Sequence, residues 1–160
     1  MLYVICALKP EAQAFVDKYK LGKLKKNDEI TVVVSGVGVE NMFNATGKIV
    51  DTMDKNDIIL NVGICGGDKK FAIGELIDTR EHTLTCKDSE ISICGDYELV
   101  DMESAGFIKA TLDVKNSYMF KVISDHFEPH KITKQITKSL VFNVIDEINE
   151  HINFNKSGYN

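Results

Sequence analysis

Apolar residues along this chain follow two rhythms in turn. Four runs are almost continuously apolar: "LYVICAL" (2–8), "EITVVVSGVG" (29–38), "DIILNVGICGG" (57–67) and "SYMFKVISD" (117–125). Such runs predict strands buried on both faces. Between them the spacing opens to three and four. Ala12, Phe15, Val16 and Tyr19 share one face of a helix over 9–19, and Pro10 suits its first turn. "VENMFNATGKIVDTM" (39–53) repeats that period, and "MESAGFIKATL" (102–112) predicts a short helix. From Thr133 a long helix is predicted, with Ile132, Ile136, Leu140, Val144, Ile148 and Ile152 as its apolar row. Residues 71–100 lack a helical period and read as several short strands.

Strands alternating with helices predict an α/β fold of three layers, α/β/α, around a twisted, mainly parallel or mixed central sheet. With 160 residues, 44% of them hydrophobic, the chain can build a substantial core. No repeat, linker or low-complexity tract divides it. The expectation is one domain over 1–154 and a flexible tail, "NKSGYN", at 155–160. A sheet of this kind takes ligands beyond the carboxyl ends of its strands.

Charge narrows the function. The net charge is −5 and no lysine or arginine stripe with interleaved aromatics is present, so nucleic acid is not an expected partner. The densest basic stretch, "KYKLGKLKK" (18–26), reads as a solvated helix end and turn. No apolar run approaches the roughly 20 residues that span a membrane, and the first residues lack a basic leader. Cys6, Cys65, Cys86 and Cys94 form no CxxC pair and no metal-ligand spacing with the histidines. Reduced cysteines of this kind point to the cytoplasm.

The chemistry-bearing residues gather where strands end. Glu11, Glu103 and Asp125 each follow an apolar run, and the runs at 35–45 and 61–67 are glycine-rich. Taken singly each has a plain structural reading. Glu11 suits a helix dipole, Asp125 a helix cap or loop acid, the glycines turns and His126 the surface, while His82 and His130 show no clear partner. Asn41 breaks GxGxxG, and no P-loop is present. Taken together, the three acids converge on one sheet edge if their strands are parallel. One can bind hydroxyls, one activate water and one donate a proton, a kit suited to breaking a glycosidic bond.

"ALKPEAQAF", "SGVGVENMFNAT", "NVGICGGDKKFAIGELI", "VDMESAGF" and "VISD", in this order over residues 1–126, resemble the purine nucleoside phosphorylase/uridine phosphorylase superfamily. The resemblance is nearest to its hydrolytic branch, the methylthioadenosine/S-adenosylhomocysteine nucleosidases. It implies a cytoplasmic N-ribosyl hydrolase of methionine salvage that acts on an adenine-type nucleoside, as a homodimer or higher homo-oligomer, without metal or organic cofactor. It further implies that Glu11 orders and deprotonates the attacking water. Met102 would pack under the ribose and Glu103 accept hydrogen bonds from its hydroxyls. Asp125 would protonate the purine, Ser124 orient that acid, and Gly66 and Gly67 line the cleft.

This sequence also departs from the family. Phosphorolytic relatives hold phosphate with arginines, whereas Arg80 is the chain's single arginine. That favours water as the nucleophile. Lys121 stands where many relatives carry an arginine, and the sequence assigns it no role. The chain is shorter than its relatives, mostly between Gly74 and Asp101, where the family places an aromatic residue against the base. There "TCKDSEISICGDYELV" (85–100) offers only Tyr97 as a weak substitute. Two other readings therefore stand beside the nucleosidase: a phosphorylase or transferase of the same fold, and a catalytically weak nucleoside-binding or assembly member.

Overall fold

The structure, a computed structural model, describes residues 1–93 and 95–154. Cys94 and the expected tail at 155–160 lie outside the described residues. In chain order the elements are β1 (Leu2–Cys6), α1 (Lys9–Tyr19), β2 (Ile30–Val34), α2 (Val39–Val50), β3 (Ile58–Gly67), β4 (Leu76–Asp78), β5 (Leu84–Cys86), β6 (Leu99–Asp101), α3 (Ser104–Ala110), β7 (Ser117–Asp125), a 3-10 turn (Pro129–Lys131) and α4 (Lys134–His151).

Among the described residues these strands form one seven-stranded mixed sheet. β1 lies between β2 and β3, parallel to both, and β7 runs parallel to β3 on its other side. β4 closes the β7 edge in antiparallel pairing. β3, at ten residues, outruns β1. Beyond the end of β1 its flank is taken up by β6, which is antiparallel to it and carries β5 in parallel.

Strand alternation sorts the core into two layers. Leu2, Val4 and Cys6 of β1, Leu60 and Val62 of β3, and Phe120 and Val122 of β7 face α1 and α4, where Phe15, Val141, Val144 and Ile148 meet them. The alternate positions Ile5, Ile59 and Met119 face α2 and α3, against Met42 and Phe107. This is the expected α/β/α layering.

Three local expectations are corrected. The run at 29–38 is strand only to Val34, because Gly36 and Gly38 take positive φ in the turn that follows. The helix predicted over 102–112 begins at Ser104, since Met102 and Glu103 form the turn from β6. On α4 the buried residues are Thr137, Val141, Val144, Ile145 and Ile148, whereas Ile136 is 39% exposed. A row spaced by four advances about 40° per step at 3.6 residues per turn, so it winds off the core face.

α2 and α3 touch backbone to backbone at Gly106. A Cβ there would overlap the Val39 carbonyl oxygen and stand 2.9 Å from the Phe43 nitrogen. Neither neighbour is a flexible side-chain end, so the helices would have to part. Gly106→Ala is expected to lower the unfolding free energy by about 1–3 kcal/mol, the usual range for overpacking. Urea denaturation of the two proteins checks it.

Candidate active site

The site forms where β3 has no partner strand on one flank. Pairing with β1 last occurs at Ile5–Asn61, and pairing with β6 begins at Gly66–Val100. The edge between must satisfy its amides elsewhere. Glu11, from the first turn of α1, fills part of it: the Ile64 N–H donates to Glu11 Oε1 at 3.0 Å. The Leu8 N–H donates to Oε2 at 2.8 Å, closing the start of its own helix. Glu11 thus does meet the structural expectation of a helix-start acid, and the same bonds fix it at the gap. It is 2% exposed. Burial pushes its carboxyl up to about 7, against the two amides and Lys121, which pull it down.

Glu103 reaches the gap by a different route from the one expected. β6 runs antiparallel to β3, so the Met102–Glu103 turn arrives from the opposite direction to β1 and β7. Glu103 Oε1 accepts a hydrogen bond from the Gly38 N–H at 3.2 Å. Gly38 has φ of 100°, a conformation open to glycine, and this turns its amide toward the β6–α3 turn. Burial raises the Glu103 pKa, and Lys121 opposes that rise.

Asp125 ends β7. The register between β3 and β7 shifts at Cys65/Gly66, so that Cys65 faces Ile123 while Gly66 faces Asp125. Such a bulge re-aims the residues after it. The Ser124 hydroxyl lies 2.6 Å from Asp125 Oδ2 and 3.1 Å from the Cys65 carbonyl, and the Glu128 N–H donates to Oδ1 at 2.7 Å.

Lys121 explains how these acids coexist. It is 1% exposed, and its ammonium pairs with Asp101 Oδ2 at 2.8 Å and donates to Asn61 Oδ1 at 2.9 Å. Asp101 in turn accepts from the Ser104 N–H and hydroxyl at 3.0 and 2.5 Å, tying Lys121 to the start of α3. Burial works against the lysine's charge, but Asp101 and Glu103 outweigh it and hold its pKa above the ordinary value. Gly63 makes room for both partners: a Cβ there would lie 3.0 Å from Glu11 Oε1 and 3.5 Å from Lys121 Nζ. One buried cation therefore faces three carboxylates across the gap.

Glu11, Glu103 and Asp125 line a single cavity of about 620 Å³, together with Met102, Ser124 and Gly66. Gly67 is not among its lining residues, which corrects that expectation. A Cβ at Gly67 would stand 2.7 Å from Ile123 Cδ1, so this glycine serves packing under β6 instead. Tyr97 is likewise absent from the lining; the Lys87 ammonium sits over its ring at 4.9 Å. The aromatic side chain that does line the cavity is Phe127, two residues past Asp125. Its φ of 63° and its burial were not legible in the sequence, which offered no signal at this position. Asp88, Glu90 and Ile91 also line the cavity, although the sequence read 71–100 only as short strands. Among the described residues no group of three or more His, Cys, Asp or Glu is placed to hold a metal ion, and no helix is long and apolar enough to cross a membrane.

This arrangement of layers and strands is the fold of the nucleosidases that cleave 5′-methylthioadenosine. The 5′-methylthioadenosine nucleosidase of Arabidopsis thaliana superimposes with a TM-score of 0.73 at 17% identity, over 97% of this chain and 96% of that one. The 5′-methylthioadenosine/S-adenosylhomocysteine nucleosidase of Neisseria meningitidis, in complex with methylthio-immucillin-A, gives 0.70 at 14%, over 94% and 98%. The futalosine hydrolase of Helicobacter pylori gives 0.67 at 14%, over 91% and 97%. No family model and no curated protein matches the sequence. At these identities the likeness establishes the fold.

Removing one partner of a buried pair strands the other charge. Lys121→Met is expected to cost about 3–5 kcal/mol of stability. Adding Asp101→Asn to it should recover part of that loss, because the uncompensated carboxylate is gone. A double-mutant cycle by urea denaturation measures both.

Proposed function

We propose that the protein is a nucleosidase that hydrolyses the N-glycosidic bond of an adenine-type nucleoside such as methylthioadenosine. The observation that carries this reading is the meeting of Glu11, Glu103 and Asp125 around one cavity of nucleoside size. Met102 forms an apolar floor beside Glu103, which accepts hydrogen bonds from the ribose hydroxyls. Glu11 takes a proton from a water, whose oxygen bonds to the anomeric carbon. The bond from that carbon to the base breaks, and Asp125 delivers a proton to the leaving purine. Positive charge builds on the sugar meanwhile, where nearby carboxylates stabilise it. The Ser124 hydroxyl and Glu128 amide hold Asp125 in one orientation.

Water rather than phosphate is the nucleophile in this reading. Phosphate recognition draws on arginine forks, and the single arginine, Arg80, is engaged elsewhere. It pairs with Asp78, which lies opposite Phe120 near the start of β7, away from the carboxyl ends.

Incubation with methylthioadenosine is expected to release adenine equally with and without phosphate. Asp125→Asn should lower the rate by roughly 10²–10⁴-fold, the usual worth of a positioned general acid. A rate within a few fold of wild type would remove Asp125 from the mechanism, and release that requires phosphate would replace hydrolysis by phosphorolysis. Saturable adenine binding without any release would point to the binding-only reading.

The pH profile tests Glu11. As a base it acts ionised, and its carboxyl sits at about 7. kcat/KM is therefore expected to fall on the acid side as pH drops through about 7. Glu11→Ala should erase that limb along with most of the activity, as read by initial rates across the range.

A further inference from the structure

The nucleosidase reading leaves one wall of the cavity without a task. The Lys87 N–H donates to the Asp101 carbonyl at 2.8 Å and carries the chain beyond β5 alongside the end of β6. Asp88, Ser89, Glu90 and Ile91 then line the cavity from its mouth, with the first three exposed. Asp88 and Glu90 bring the carboxylates of the lining to six, with Glu11, Asp101, Glu103 and Asp125. Among the described lining residues none is lysine, arginine or histidine. Lys121, the cation facing these acids, lies behind the wall on Asp101. Two further basic groups nearby are turned to other partners: Lys87 to the Tyr97 ring, and Lys131 to Glu128 at 2.6 Å.

We propose that Asp88 and Glu90 make this cavity select its ligand by charge, admitting neutral and cationic nucleosides and turning away nucleotides. The proposal deepens the nucleosidase reading and rests on it. The four inner acids are held in place by hydrogen bonds or the lysine pair and belong to the reaction site. The outer two make no such contribution to chemistry, yet they add their field to the same cavity, where like charges reinforce one another. Because both are exposed, salt screens them, and their effect on a ligand is graded rather than absolute. A doubly charged phosphate entering past them meets repulsion from both, and an ammonium meets attraction.

Three adenine ribosides that differ only at the 5′ position test this: 5′-amino-5′-deoxyadenosine, methylthioadenosine and adenosine 5′-monophosphate. Calorimetric Kd values at low salt, measured in the Asp125→Asn background so that the ligands are not cleaved, are expected to rank in that order, the amine tightest. In the Asp88→Asn/Glu90→Gln variant, the ratio of the monophosphate Kd to the amine Kd should fall by roughly tenfold, and by less at high salt. Both positions are exposed, so the variant folds, which a circular dichroism melt verifies. A monophosphate bound as tightly as methylthioadenosine with Asp88 and Glu90 intact overturns the proposal, and so does a ratio that the double substitution leaves unchanged. If none of the three binds, the nucleosidase reading itself fails; if methylthioadenosine binds while charge makes no difference, only the present proposal falls.

Discussion

The site depends on a stretch of β3 left unpaired between the end of β1 and the end of β6. A strand flank inside a folded sheet carries amides that must find acceptors. Here an acceptor comes from a side chain, Glu11, rather than from a neighbouring strand. The opening also exposes a face of Gly63 bare enough for Glu11 and Lys121 to approach together. Five buried polar side chains gather around that interruption: Asn61, Lys121, Asp101, Glu103 and Glu11.

Burying so many charges would be untenable without mutual support. Lys121 is the pivot, holding Asp101 directly and opposing the upward shifts of Glu11 and Glu103. Buried ion pairs contribute less to stability than their geometry suggests, because desolvation takes back much of the attraction. Their value here is positional. Asp101 couples the lysine to the first turn of α3, Glu103 couples the β6 turn to Gly38 at the start of α2, and the close contact at Gly106 locks α2 to α3. A chain of short contacts therefore runs from the core cation to the turn that carries Met102. The apolar layer against α1 and α4 does no chemistry and supplies a rigid backing for the polar side.

Much of the secondary structure was legible because it rests on period. Runs such as 57–67 and 117–125 could only be buried strands, and the face Ala12–Phe15–Val16–Tyr19 only a helix packed on one side. Legibility failed where identity and surroundings part company. Phe127 drew no reading in the sequence, yet it is buried and lines the cavity. Gly66 and Gly67 looked equivalent, yet one borders the cavity and the other packs under Ile123. Lys121 carried no assignable role until its partners, 60 residues away for Asn61, were in place.

By itself the sequence determined the alternation of strands and helices, the two-sided apolar strands and the placement of acids at strand ends. These follow from side-chain spacing along a local backbone, which neighbouring residues decide. Only the tertiary structure decided that β6 turns back against β3, that Glu103 consequently meets Glu11 from the opposite side, and that residues 88–91 wall the cavity. Strand direction and pairing are relations between segments far apart in the chain. They are chosen by the packing of the whole sheet, so no local pattern records them.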